Sequence, residues 1–176
     1  MKRQIPIHTH YANGQPTHWP EMIAYCLQNE LKLSDWDFEG FEKMPFVDMK
    51  FYWSELCLKK CHHIVPAGFE CDPGNDIEFL AVTPEGEKFP FGPLVKCTNV
   101  DQIKITNYLG LQEFSMNERL YGTIMHHGVD RLYEWHNDLE ELAINEGLGS
   151  IEALARIGFE DEVIIRKLIH WTDKRY

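Results

Sequence analysis

The sequence predicts an α+β fold: a mixed N-terminal region with a short antiparallel β-sheet, packed on a C-terminal helical bundle. Three observations predict it. Turn chemistry at Asp72-Pro73-Gly74-Asn75 and at Pro84-Glu85-Gly86-Glu87 brackets short apolar runs, the mark of a hairpin. In the final third, apolar residues recur at helical spacing between capping residues. No long linker, internal repeat or low-complexity stretch interrupts the 176 residues, which suit a single domain. Residues 1–110 form its mixed part and residues 111–176 its helical part.

Along the chain, residues 4–8 alternate weakly and read as a short strand, with Pro6 confining it to a sheet edge. Asn13-Gly14 marks a turn. A helix is expected over Trp19 to Lys32, with Pro20 in its first turn and Ile23, Cys26, Leu27 and Leu31 on its buried face. Residues 34–46 mix acids with aromatics and are broken by Gly40 and Pro45, so a loop with anchored aromatics is expected. Residues 47–62 carry both periodicities; Met49, Trp53, Leu56, Cys57 and Lys60 give the longer match and predict a helix.

Strands are expected over Ile77 to Val82 and Lys88 to Phe91, with a third from Leu94 to Thr98 after the Gly92-Pro93 break. A short helix is expected over Val100 to Leu109. Ser115 and Glu118 have capping-box spacing and predict a helix from Met116 to His127. A longer helix over Val129 to Asn145 would bury Leu132, Trp135, Leu139 and Leu142 and stop at Gly147 and Gly149. Ser150 caps a helix from Ile151 to Ile157, and Gly158 ends it. The last helix, Glu160 to Trp171, has acids at its start and Arg166, Lys167 and His170 near its end, as the macrodipole favours.

The composition is 44% hydrophobic and 26% charged, which places the chain among globular proteins rather than disordered ones. A net charge of -11 argues against non-specific binding to nucleic acid and against docking on an anionic membrane. No apolar run approaches the ~20 residues that span a bilayer. The first residues, MKRQIPIHTH, lack the apolar stretch of a signal peptide, so a cytoplasmic protein is expected. Cys26, Cys57, Cys61, Cys71 and Cys97 are odd in number and sparse, which points to free, mostly buried thiols.

Metal chemistry has two candidate sites. Cys57, Cys61, His62 and His63 combine thiolates and imidazoles, the ligands zinc takes, and a helix would put Cys57 and Cys61 on one face. A second pair of ligands is missing unless the fold brings in Cys71 and Cys97. The competing reading packs Cys57 in the core and leaves Lys59, Lys60 and His62 in solvent. His8 and His10 would point to one side of a strand. The segment His8-Thr9-His10 resembles the first-strand motif of the amidohydrolase and histidinol-phosphatase-like metal enzymes, which implies a catalytic metal at those two histidines. Those barrels need about 200 residues or more, and their later ligand motifs are absent here. His126, His127 and His136 lie near Asp130 and Glu134 without the paired Glu-x-x-His of di-metal bundles, so solvated histidines are expected. No nucleophile elbow, phosphate loop or dinucleotide fingerprint occurs.

The charge itself is lopsided. Between Asp130 and Glu162 stand ten acids against Arg131 and Arg156, which is -8 of the total -11. Asp130, Glu134, Asp138 and Glu141 recur at helical spacing and would form one acidic stripe. The bland expectation is a solvated outer face. The functional expectation is a non-enzymatic protein that engages a basic protein partner through this stripe, with its carboxylates standing in for a phosphate backbone. Immunity proteins and phage-encoded inhibitors of nucleases work this way as classes, and an inhibitor of a nucleic-acid-handling protein is the concrete expectation, with no cofactor. A zinc-dependent hydrolase using the histidine and cysteine ligands is the alternative. Residues 150–159, SIEALARIGF, resemble the first half of a ubiquitin-associated domain, and a helix–Gly–helix corner accounts for them equally.

Overall fold

The computed structural model describes residues 1–32, 60–126, 132–134, 137–157 and 161–173. Among them the protein is mostly β, with two sheets and three short helices, rather than a small sheet on a helical bundle. The strands are β1 (Lys2–His8), β2 (His62–Pro66), β3 (Asp76–Val82), β4 (Lys88–Lys96), β5 (Asn99–Tyr108), β6 (Leu111–Met116), β7 (Arg119–His126), β8 (Leu132–Glu134) and β9 (Val163–His170). The helices are α1 (Trp19–Leu31), α2 (Asn137–Asn145) and α3 (Ile151–Ala155). None of these helices is long and apolar enough to cross a membrane.

The smaller sheet has the order β1-β3-β4, with β1 parallel to β3 and β4 antiparallel to it. Pro6 sits on its edge strand, as its missing N–H requires. The expected break at Gly92-Pro93 does not end β4, which runs on through residues 94–96. The larger sheet, β2-β9-β5-β6-β7-β8, is antiparallel throughout.

Four predicted helices are corrected here. Residues 99–108 form β5, because Ile103 and Ile105 alternate with exposed Gln102 and Lys104 and fill one face. The Ser115/Glu118 spacing is not a capping box: Asn117 and Glu118 take φ 48° and 69° and form the tight turn of the β6–β7 hairpin. Positive φ at both central positions matches the strands' own twist, so a hairpin closes where a helix was expected. The expected helix over residues 129–145 is strand at 132–134 and helix only from Asn137. Residues 163–170 form β9, where the β-branched run Val163-Ile164-Ile165 outweighs the charges that suit a helix. The helix expected over residues 47–62 lies mostly outside the described residues, and its last residue, His62, begins β2.

Two cores result. The first joins Ile5 and Ile7, Ile23 and Leu27, Ile77 and Phe79, and Phe91, and it takes Val65 and Ile169 from the larger sheet and Trp171 from just beyond β9. The second lies between the larger sheet and the two later helices, joining Ile103, Ile105, Phe114, Ile124 and Leu168 to Leu139, Leu142, Ala143 and Leu154. α2 lies so close to β7 that a Cβ at Gly122 would stand 2.6 Å from Leu139 Cγ and 2.8 Å from its Cδ1. Leu139 is fully buried and has no room to retreat. Gly122→Ala is therefore expected to cost about 1–3 kcal/mol by overpacking, measured by urea unfolding. Pairing it with Leu139→Ala should make the second substitution less costly than it is alone, and simple additivity would refute the contact.

Candidate functional site

The C-terminal end of α2 is the best-built polar region of the molecule. The helix closes in a Schellman arrangement, with Gly147 N–H donating to Ile144 O at 3.0 Å and Leu148 N–H to Ala143 O at 2.9 Å. Gly147 takes the left-handed conformation, φ 74°, and an added Cβ would meet Met22 Sδ at 2.9 Å. This cap drives Glu146 inward, where it is buried.

Lys60, fully buried just before β2, meets Glu146 there. Its Nζ donates to the Glu146 carbonyl at 2.6 Å and lies 3.0 Å from Oε1. The ammonium also stands 4.6 Å over the Trp19 ring, a cation–π contact. Glu146 Oε1 accepts from the Ile64 N–H at 3.1 Å and lies 3.1 Å from His63 Nδ1. An ionised carboxylate only accepts, so His63 carries its proton on Nδ1. Burial pushes the Glu146 carboxyl up, but the Lys60 charge and the His63 hydrogen bond outweigh it and hold it at about 2. Burial lowers the Lys60 ammonium, and the carboxylate beside it opposes that shift.

The seam continues across three strands. His62 Nε2 lies 3.6 Å from Glu146 Oε2, an electrostatic contact longer than a hydrogen bond. Burial, helped by the charges of His170, Lys60 and His63, brings the His62 imidazole down to about 3 against the pull of Glu146, so it is neutral. His62 and His170 are directly paired across β2 and β9, and their rings lie 5.4 Å apart. His170 Nε2 stands 2.8 Å from Asp101 Oδ2 on β5. Burial raises the Asp101 carboxyl, and hydrogen bonds from His170, Asn117 and Asn99 bring it below the usual range.

At the outer end, the His63 ring meets Trp19 edge-on at 5.8 Å, and Trp19 meets Tyr11 at 5.8 Å. Burial lowers the His63 imidazole, with the charges of Lys60 and His8 adding to it, and burial likewise lowers His18, with His10 adding to it. Glu21, on the buried side of α1, is 1% exposed, and among the described residues neither carboxylate oxygen has a hydrogen-bond partner. His18 Nδ1 lies 4.0 Å from Glu21 Oε1. Burial pushes the Glu21 carboxyl up to about 7.

Of the expected metal ligands, Cys57 lies outside the described residues, and Cys61 is buried. His62 and His63 turn to Glu146, beside which the Lys60 ammonium already supplies the positive charge. The reading that left Lys60 and His62 in solvent is overturned, since both are fully buried. Among the described residues no group of three or more His, Cys, Asp or Glu side chains is arranged to hold a metal ion. Cys71 and Cys97 do come together: both are buried in the first core, and each thiol affects the other's ionisation.

The acidic stripe is also redrawn. Asp130 lies outside the described residues, and Glu134 closes β8 instead of sharing a helix with Asp138 and Glu141. Asp138, Glu140 and Glu141 are exposed on α2, and Glu152 on α3. The charges of Asp138 and Glu141 help burial raise the nearby Tyr121 phenol. Sequence reasoning missed Lys60, Glu146, Asp101, His170 and Glu21 as a polar system. The one available signal was an acid placed just before the helix-ending Gly147. No protein-family model matches the chain, and no curated protein or solved structure matches it significantly.

Two predictions follow from burial. Lys60→Met strands the Glu146 charge and should cost about 3–5 kcal/mol in chemical denaturation, while Lys60→Met with Glu146→Leu should recover most of that loss. A double variant no more stable than the single one would show that the pair is not what Glu146 requires. For Glu21, the folded carboxyl at about 7 keeps a proton that the unfolded chain, at 4.5, releases. Stability from this group is therefore complete below pH 4.5 and is lost as pH rises through 7. The loss is on the order of 3 kcal/mol. Glu21→Gln should thus gain thermal stability over the wild type on going from pH 4.5 to pH 8. A pH-independent difference in melting temperature would rule this out.

Proposed function

We propose that the protein is a non-enzymatic binding protein that docks a basic protein partner on the carboxylates of α2 and α3, in the manner of an inhibitor of a nucleic-acid-handling protein. The observation that carries this reading is how α2 is mounted. Leu139, Leu142 and Ala143 are each fully buried, so Asp138, Glu140 and Glu141 project from a fixed backbone, and Glu152 is exposed on α3. No lysine or arginine among the described residues forms an ion pair with Asp138 or Glu140.

Carboxylates held this way act on a basic partner in two ways. Their summed field speeds encounter, and salt screens it. Their pre-set positions spare the entropy of ordering a flexible acidic tail. A surface of this kind competes with phosphates for the same lysine and arginine side chains. The histidine and lysine groups of the buried seam supply no comparable surface, because their polar atoms are engaged with Glu146 and Asp101.

The test compares two variants of equal net charge. One carries Asp138→Asn, Glu140→Gln, Glu141→Gln and Glu152→Gln. The other neutralises four exposed acids elsewhere, Glu85, Glu87, Glu113 and Glu118, to Gln. Binding to poly-L-lysine, followed by titration at two salt concentrations, should weaken about tenfold in the first variant, from four contacts of a few tenths of a kcal/mol each. The second variant should stay close to wild type. Equal weakening in both would mean that net charge, not this surface, does the binding.

A further inference from the structure

Cys71 and Cys97 are placed together by the β3–β4 hairpin. The ladder ends at Asp76 opposite Lys96. Beyond it, Cys97 N–H donates to Asn75 O at 2.8 Å, and Gly74 N–H donates to Cys97 O at 2.8 Å. Asn75 N–H donates to Asp72 O at 3.0 Å and closes the turn, in which Gly74 has φ 88°. This turn folds the chain back, so Cys71 returns to Cys97. Both side chains belong to the first core, 4% and 2% exposed, and the two thiols are close enough to affect each other's ionisation. The Cys97 thiol is also 3.4 Å from Asn99 O.

We propose that Cys71 and Cys97 are a thiol pair that a small-molecule disulfide, such as oxidised glutathione, converts to an intramolecular disulfide. In the first step the Cys71 thiolate attacks one sulfur of glutathione disulfide and expels a glutathione thiolate. The Cys97 thiolate then attacks Cys71 Sγ, forms the protein disulfide and expels the second glutathione. Each thiol proton ends on a glutathione leaving group, so two protein thiols and one glutathione disulfide give one protein disulfide and two glutathiones.

Cys71 is the entry thiol. The residues just before it, Gly68, Phe69 and Glu70, line an open cavity of about 540 Å³ together with Lys2, Arg3 and Gln4. Arg3 and Lys167 lie close enough for their charges to favour the Cys71 thiolate, although burial still raises that thiol. Burial and the Cys71 neighbour push the Cys97 thiol further, to about 12, which suits it to react second, once Cys71 is held beside it as a mixed disulfide. Raised thiols react slowly, so oxidation proceeds on opening of the residues around Phe69, whose carbonyl is tied to Lys167 Nζ at 2.8 Å.

The full chain is equilibrated in glutathione buffers from reducing to oxidising, quenched by alkylation and mapped by non-reducing peptide digestion. Two cysteines should lose alkylation together, and one linked peptide should join Cys71 to Cys97. Closing this loop should raise the melting temperature by roughly 5–10 °C relative to the reduced chain. Cys97→Ser should stop at a glutathione adduct on Cys71, and Cys71→Ser should leave Cys97 unmodified. The proposal fails if the oxidised chain shows no such peptide even with mild urea present to open the segment. It fails equally if glutathione persists on wild-type Cys71, if other cysteines pair as readily, or if the linked chain melts lower than the reduced one.

Discussion

The fold turns on one buried ion pair, Lys60 with Glu146. Two fully desolvated charges are a poor source of net stability, because removing them from water costs several kcal/mol each before their attraction returns it. What the pair supplies is position. Glu146 addresses the start of β2 through the Ile64 N–H, the Lys60 ammonium and His63, while its neighbour Gly147 accepts from the Trp19 indole of α1 at 3.2 Å. Three elements far apart in sequence, α1, β2 and the end of α2, therefore share one point of contact. An apolar pair of the same volume would tolerate sliding between them; a lysine and a carboxylate that must both find each other do not.

The remaining buried polar groups follow from that placement. His62 lies one residue beyond Cys61, whose N–H is held by Asn145 O at 2.9 Å, so its ring is carried into the sheet interior toward His170. His170 in turn needs Asp101, which Asn99 and Asn117 support at 2.8 and 2.7 Å. The seam runs across β2, β9 and β5 near the place where the end of β9 and the residue after it lend Ile169 and Trp171 to the first core. A polar line at the junction of two apolar cores specifies their relative register, since any slip would leave buried carboxylates and imidazoles without partners.

Much of the N-terminal half was legible because its signals are local. The edge placement of Pro6, the helix from Trp19 and the strand at Ile77 each rest on a few neighbouring residues. Ser150 also caps its helix as expected, accepting from the Ala153 N–H at 3.4 Å. The larger sheet was misread for a different reason. Its strands carry both periodicities over short windows, and the helix-favouring charges at residues 160–170 flank a β-branched run that favours strand. Sheet pairing is non-local, so the partner that decides between the readings, β5 for β9, lies some sixty residues away. The same limit hid the polar seam: Lys60 looks like a solvent-facing lysine until Glu146, 86 residues on, is brought beside it.

The acids of the C-terminal region divide into two kinds once the fold is known. Glu146 is withdrawn from the surface, and its charge is spent on holding β2 and α1 to the helix end. Asp138 and Glu140 in the first turn of α2, and Glu152 in that of α3, sit where the helix dipole favours negative charge, so the fold accepts them at little cost. Exposed carboxylates such as Asp138 and Glu140, which are cheap to keep and form no ion pair among the described residues, are available to another molecule. Their backbone is fixed because the opposite face of α2 is packed against Gly122, which lets the helix approach the sheet closely. The buried acid thus fixes the helix, and the fixed helix gives the exposed acids a defined geometry. This is the physical link between the core of the protein and the basic partner proposed for its surface.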